Sequence, residues 1–272
     1  MSIKNILVAY SGQSASQMPL RRAFRIAQHH DAWVAGVVGH GTSLLLSRFG
    51  GRAPQEAIEG LRQADQQEIK KAMSTFDRMA KEAGREHAAE CVELFDEDGA
   101  SVASFSRTFD LVVTGPHSGK LSEDHVSASP DLIALQSGRP VLIVPKRFDA
   151  TALAKHVVVA WDGKRAAARA VGDAMPLLED RGRVTVLTIG KQLPLGTRRL
   201  VENLKRHGIV ADYLQKIKSG SVGATILHAT EDIGADLILM GAYEHSKFAH
   251  DFFGGVTTDV MNQSAVPVFM SH

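Results

Sequence analysis

Apolar residues along the chain fall into short continuous blocks of Val, Ile and Leu, separated by longer stretches in which they recur every three or four positions. The blocks do not alternate apolar with polar residues. Runs of this kind predict strands buried on both faces, and the intervening periodicity predicts helices. In the second half, strands are expected near 156–161, 183–189, 209–217, 235–240 and 266–270, with helices near 165–179, 196–207, 221–233 and 255–264. A β-α-β-α series gives a parallel sheet with helices on both faces. Its ligand site belongs outside the carboxyl ends of the strands, where the strand order reverses. The Asp162–Gly163 turn and the loop after Met240 stand at those ends.

The blocks repeat. "ILVAYSG" (Ile6–Gly12) matches "VVVAWDG" (Val157–Gly163) at an offset of 151 residues, and "FDLVVTG" (Phe109–Gly115) matches "ADLILMG" (Ala235–Gly241) at an offset of 126. "QSGRPVLIV" from Gln136 then matches "QSAVPVFMS" from Gln263. One architecture is used twice, with the join near Lys146–Lys155, so two domains are expected, 1–147 and 148–272. The shrinking offset places about 25 extra residues in the first half, between Gly39 and Phe109. They read as one long helix over about 54–84, with Ile58, Leu61, Ile69, Ala72, Met73, Phe76, Met79, Ala80 and Ala83 near one stripe. The stripe is expected to face the core, with the helix's outer end as a candidate partner surface.

Composition narrows the function. Hydrophobic residues make up 44% and charged residues 22% of 272 positions, and 31 basic against 30 acidic residues leave a net charge of +1. No basic stripe marks a nucleic-acid surface. No apolar run approaches the roughly 18–20 residues of a membrane span, and the start of the chain does not read as a signal peptide. Cys91, the one cysteine, excludes an intrachain disulfide and fits a reducing, cytoplasmic setting. In its apolar stretch it reads as a small buried hydrophobe.

The most informative segment is "GAYEHSKFAHDFFGG", Gly241–Gly255. It follows a buried strand and leads into a helix. With "VVVAWDG" before it, this order resembles the universal stress protein family, whose motif is Gly, two residues, Gly, nine residues, Gly, then Ser or Thr. Gly241 and Gly254 fit the first and third glycines, with the nine-residue spacing kept. Glu244 stands where the second glycine would be, and Gly255 where the hydroxyl residue would be. The resemblance covers both halves as a tandem form. It implies two doubly wound, Rossmann-like, five-stranded parallel sheets, an α/β fold packed as an intrachain pseudo-dimer with the final strands edge to edge. It also implies a cytoplasmic role in surviving stress. Some members bind ATP and others do not. Carried over, the binding residues are Asp162, Gly163, Met240, Gly241, Gly254, Gly255 and Val256.

Physical chemistry bears on both outcomes. Backbone N–H groups at a helix N-terminus attract anions, and glycines let a phosphate approach closely. Thr257 supplies a hydroxyl or caps the helix. Lys164, Arg165, His245 and Lys247 either add positive charge or form a solvated face. Glu244 opposes: a carboxylate about 4 Å from a phosphate charge costs roughly 1–4 kcal/mol, and its bulk blocks the approach that glycine permits. ATP or AMP is the candidate ligand, with Mg²⁺ only alongside ATP. The first half carries Ser11 in place of Asp162 and no glycine pair in register after Gly115, and reads as a scaffold.

Twelve histidines prompt a metal search, but His29–His30, His117 with His125, and His245 with His250 lack a zinc-like spacing. "GQSAS" at Gly12 is not a nucleophile elbow, and no catalytic base stands out, so slow ATP hydrolysis is the most an enzyme reading supports. Three readings compete: a nucleotide-binding stress regulator, a nucleotide-free interaction module with an unknown protein partner, and, more weakly, an enzyme using the same crevice. A homodimer is compatible with each.

Overall fold

The computed structural model describes residues 2–10, 17–39, 54–94, 101–116, 130–148, 155–179, 182–242 and 255–272. The chain forms two compact units. One consists of Ile3–Arg139 with Asp149–Thr151, the other of Pro140–Phe148 and Ala152–His272 with Met1–Ser2. The fold is α/β and Rossmann-like, with mostly parallel strands.

The first unit carries β1 (Asn5–Ala9), α1 (Gln17–His30), β2 (Trp33–Gly39), α2 (Gln55–Glu82), β3 (Ala89–Leu94), α3 (Val102–Phe105) and β4 (Leu111–Thr114), and α4 (Pro130–Gln136) follows. Its strands pair in the order β3-β2-β1-β4, all parallel. Ile6, Leu7 and Val8 are fully buried, as continuous apolar runs require when both faces are covered. The expected long helix is α2, 28 residues long. Ile69, Ala72, Phe76, Met79 and Ala80 of the stripe are buried, whereas Ile58, Leu61, Met73 and Ala83 are half-buried. Only the C-terminal half of α2 therefore lies fully on the core. Phe76 anchors it, with its ring centroid 6.1 Å from that of Tyr10 and 5.7 Å from that of Phe24.

The second unit carries β5 (Val141–Ile143), β6 (His156–Ala160), α5 (Arg165–Leu178), β7 (Arg183–Ile189), α6 (Thr197–Arg206), β8 (Val210–Lys216), α7 (Val222–Asp232), β9 (Leu237–Gly241), α8 (Val256–Gln263) and β10 (Val268–Ser271). Its strand order is β5-β10-β9-β6-β7-β8. β6 to β10 are parallel to one another, and β5 joins β10 antiparallel, with Leu142 opposite Phe269. So the last strand of the first repeat pairs with the last strand of the second and belongs to the second unit. The chain runs outward from β6 through β7 to β8, then returns to β9 on the other side of β6. The order reverses between β6 and β9, the expected place for a ligand.

The repeat extends to the hydrogen bonds that start each sheet. Asp110 accepts from the backbone N–H groups of Lys4 and Asn5 at 2.8 and 2.9 Å. Asp236 accepts from those of Lys155 and His156, at 2.8 and 3.1 Å for the shorter contact of each. Each Asp sits just before the fourth strand of its repeat, β4 or β9, and ties down the amino end of the neighbouring first strand, β1 or β6. Both satisfy donors at strand ends that would otherwise lack a partner.

Candidate functional site

A cavity of about 430 Å³ opens at the carboxyl ends of the second unit's strands. That size lies within the range of roughly 300–1,000 Å³ typical of small-molecule pockets. Its wall comes from the ends of β6 (Ala160, Trp161, Asp162), β7 (Leu187, Ile189) and β9 (Met240, Gly241) and from the first turns of α5 (Lys164, Ala166, Ala167), α7 (Val222, Ile226) and α8 (Val256, Thr257). It therefore lies at the reversal of strand order. Most of the wall is apolar, with Asp162, Lys164 and Thr257 as its polar side chains besides the indole of Trp161.

Local sequence explains how each piece is held. Trp161 continues β6, its backbone N–H donating to Leu187 O at 2.8 Å. Asp162 then turns the chain, its Oδ1 accepting from the backbone N–H of Lys164 at 3.0 Å, an Asx turn that leads into α5. Gly163 adopts φ +80, and a Cβ there would meet Pro194 at 3.2 Å; glycine fits on both counts. α5 presents Ala166, Ala167, Ala170 and Ala174 to the core, and these small side chains let the helix come close to β9. There Gly241 faces it: a Cβ on Gly241 would stand 2.5–2.8 Å from atoms of Ala166 and Ala167. α7 and α8 cross just as closely at Gly223, where a Cβ would meet that of Asp259 at 2.9 Å.

Three helix N-termini border the cavity, and they differ. α7 is capped by Ser221, whose Oγ accepts from Ala224 N at 3.0 Å. At α5 and α8 the cap residues, Lys164 and Gly255, supply no such side-chain hydrogen bond. No acidic residue occupies the first turn of α5 or α7, and Asp259 is the one in α8. The positive ends of these dipoles favour an anionic group at the wall. Gly255, the cap residue of α8, has φ 173 and open space where a Cβ would be. That extended backbone suits any residue, so a serine or threonine fits here without strain.

A family model for the universal stress protein family matches residues 154–272. That segment is a universal stress protein domain. A curated relative is universal stress protein Slr1230 of Synechocystis sp., 28% identical over 171 residues, which cover 59% of this chain. The chain spans 57% of the length of that relative. Two solved structures share the fold over nearly the whole chain. One is a universal stress protein from Archaeoglobus fulgidus, with a TM-score of 0.74 at 16% identity over 99% of this chain and 96% of that one. The other, from Pseudomonas aeruginosa, has a TM-score of 0.61 at 13% identity over 99% of this chain and 93% of that one.

Within this universal stress protein domain, Asp162, Met240, Gly241, Val256 and Thr257 line the cavity. Gly163 and Gly255 adjoin lining residues in sequence without lining it themselves. Glu244 and Gly254, with His245, Lys247 and His250, lie outside the described residues. The sequence reading had not singled out Trp161, Leu187, Ile189, Val222 or Ile226 for the site. The signal for several was present: Leu187 and Ile189 end a parallel strand, and Val222 opens a helix at the same end of the sheet. In the first unit Ser11 lies outside the described residues. Tyr10, which matches Trp161 in the repeat, is fully buried. Burial, reinforced by Cys91, pushes its phenol up to about 12. Cys91 is partly covered, and burial together with Asp77 and Glu93 pushes its thiol up to about 12 as well. The thiolate needed for nucleophilic or metal chemistry is thus disfavoured. Among the described residues no group of three His, Cys, Asp or Glu side chains is placed to hold a metal ion, and no helix is long and apolar enough to cross a membrane.

Proposed function

We propose that the second unit binds an adenine nucleotide in this cavity and that the protein acts through it in a cytoplasmic stress response. The observation that carries the reading is the position of the cavity: the reversal point of a universal stress protein sheet, bordered by the α5 and α8 N-termini, where neither cap residue supplies a side-chain hydrogen bond. The apolar wall around Leu187, Ile189 and Met240 suits a base. The turn of Asp162 suits the polar face of a ribose, and the first turn of α8 suits a phosphate. Gly254 keeps the third-glycine place of the motif in sequence.

Isothermal titration of the full chain with ATP, AMP and adenosine tests the reading. Saturable binding is expected, weakened in Asp162→Ala and Thr257→Val without loss of fold. Absence of binding for all three ligands overturns it.

A second reading, an interaction module of the same fold, rests on a different surface. β8 ends the pairing order of its unit, and Val210, Tyr213 and Ile217 at or beside it are 68%, 42% and 63% exposed. An edge strand with apolar side chains suits pairing with another chain. Cross-linking that traps a partner through Tyr213, with no nucleotide binding, would favour it.

A further inference from the structure

Trp161 combines two properties that no other residue of the cavity wall shares. It borders the cavity, and its indole nitrogen is buried without a hydrogen-bond partner. A buried donor left unpaired costs about 1–3 kcal/mol, and such groups are few in native proteins. The backbone cannot relieve the cost by shifting. The Trp161 N–H is committed to Leu187 O at 2.8 Å, and the next residue is committed to the turn through Asp162 and Lys164. The side chains on either side, Ala160, Leu187 and Ile189, are apolar and offer no acceptor. The equivalent residue of the first repeat, Tyr10, instead packs against Phe76 of the long helix.

We propose that Trp161 is the residue that selects the ligand, its indole N–H donating to a neutral acceptor on a planar heteroaromatic ring seated against it. This rests on the nucleotide reading and assigns the base end of the ligand. The chemistry favours a ring nitrogen or carbonyl over a phosphate. A neutral acceptor gives up less hydration on entering an apolar wall than an anion does, and the indole face adds stacking with a flat ring. Sites that hydrogen-bond their ligand discriminate sharply against analogues lacking the matching group, because a buried partner is then left unpaired. The indole nitrogen is closed to water, so pairing with a ligand turns the ring out of its cover. Binding is thereby coupled to a change in the environment of the tryptophan.

The chain contains two tryptophans, and the other is a built-in control. Trp33 lies in the first unit, and its indole N–H donates to Glu90 at 3.4 Å. The experiment follows the two indole N–H resonances of the full ¹⁵N-labelled chain during titration with adenosine and with AMP, assigned with Trp33→Phe. The Trp161 resonance is expected to move downfield and saturate with either ligand, while that of Trp33 stays in place. Trp161→Phe is expected to bind both ligands about five- to tenfold more weakly, the worth of one net hydrogen bond. It should keep the wild-type melting temperature within a few degrees, because the indole donor it removes was unpaired. Saturable wild-type binding with an unmoved Trp161 resonance, or with equal affinity in Trp161→Phe, overturns the proposal and leaves the nucleotide reading standing. No binding of either ligand by the wild type overturns the nucleotide reading and this proposal with it. If Trp161→Phe does not fold, the wild-type resonance decides.

Discussion

A Cβ placed on Gly241 would stand 2.5 Å from the backbone nitrogen of Ala167. This glycine is therefore required by the contact between β9 and α5, whatever the cavity binds. The same contact brings the α5 N-terminus to the cavity wall, so packing and site share one residue. Gly241→Ala must push α5 away from the sheet and is expected to cost about 1–3 kcal/mol, the usual penalty for overpacking. Urea unfolding monitored by circular dichroism gives the value, and an unchanged midpoint would mean that the helix yields freely.

Gly255 is the opposite case. Its extended φ and open surroundings accept a side chain, and serine is a better cap than glycine by a few tenths of a kcal/mol. Gly255→Ser is expected to hold or slightly raise stability. It should also tighten AMP binding by about two- to tenfold, through one added hydrogen bond to the phosphate. Titration of adenosine supplies the control: a ligand without phosphate should gain nothing.

The pH profile of stability follows from three groups. Cys91 goes from an ordinary value of 9.0 to about 12 in the folded chain, and Tyr10 from 10.0 to about 12. Both are raised, so the folded state holds their protons longer than the unfolded one. Their contribution is complete below the unfolded values and is lost as pH rises from there towards 12. Between pH 9 and 10 the thiol alone should lower stability with a slope that rises towards about 1.4 kcal/mol per pH unit. Denaturant unfolding of wild type and Cys91→Ala at pH 8, 9.5 and 10.5 checks this, the variant showing the shallower decline. Asp212 behaves in the reverse sense. Burial raises its carboxyl, but hydrogen bonds from Arg183 and Thr185, with the charges of Arg183 and His156, outweigh that and hold it below its ordinary value. Its contribution is present above the unfolded value and fades as pH falls through the folded one, so Asp212→Asn should flatten the acid limb only.

The strands were legible because β-branched blocks bounded by turns leave few alternatives. "RVTVLTI" begins and ends where expected, at Arg183 and Ile189. The repeat was legible for the same reason, and the structure adds a signature that pattern alone did not disclose: Asp110 and Asp236 occupy matching places because both hold down the start of a neighbouring strand. The site was legible only in part. A rule about strand ends selects Asp162 and Met240, because position along the chain is enough for them. Trp161 escaped because an aromatic residue at the end of a strand is ordinarily core, and nothing in its neighbours reveals an unpaired indole. Gly241 was read through ligand approach, while the contact with Ala167 depends on a helix 74 residues away in sequence.

Asp236 should be among the most sensitive polar positions of the second unit. It satisfies two backbone donors at the start of β6, and hydrogen bonds to a charged group contribute about 1.5–3 kcal/mol. Asp236→Ala leaves both donors without that acceptor and is expected to lower stability by at least about 2 kcal/mol. Asp236→Asn, which keeps one carbonyl oxygen, should lose less. Thermal unfolding of the two variants gives the ranking, and equal loss would place the effect in packing rather than in the carboxylate.

The pairing of β5 with β10 fixes where the second unit begins. Leu142 and Ile143 lie opposite Phe269 and Val268, and all four are essentially buried. A fragment starting at Ala152 removes β5 and leaves one side of β10 without its partner, apolar side chains included. Such an edge is a template for pairing with another chain. That fragment is expected to self-associate or to melt well below a fragment starting at Pro140, which keeps β5. Light scattering across a concentration series, with thermal melts of both fragments, makes the comparison. A monomeric, equally stable fragment from Ala152 would show that β10 tolerates an open edge and that β5 is dispensable to the second unit. An advantage for the longer fragment would mean that the working boundary lies before β5, inside what the repeat alone assigns to the first half.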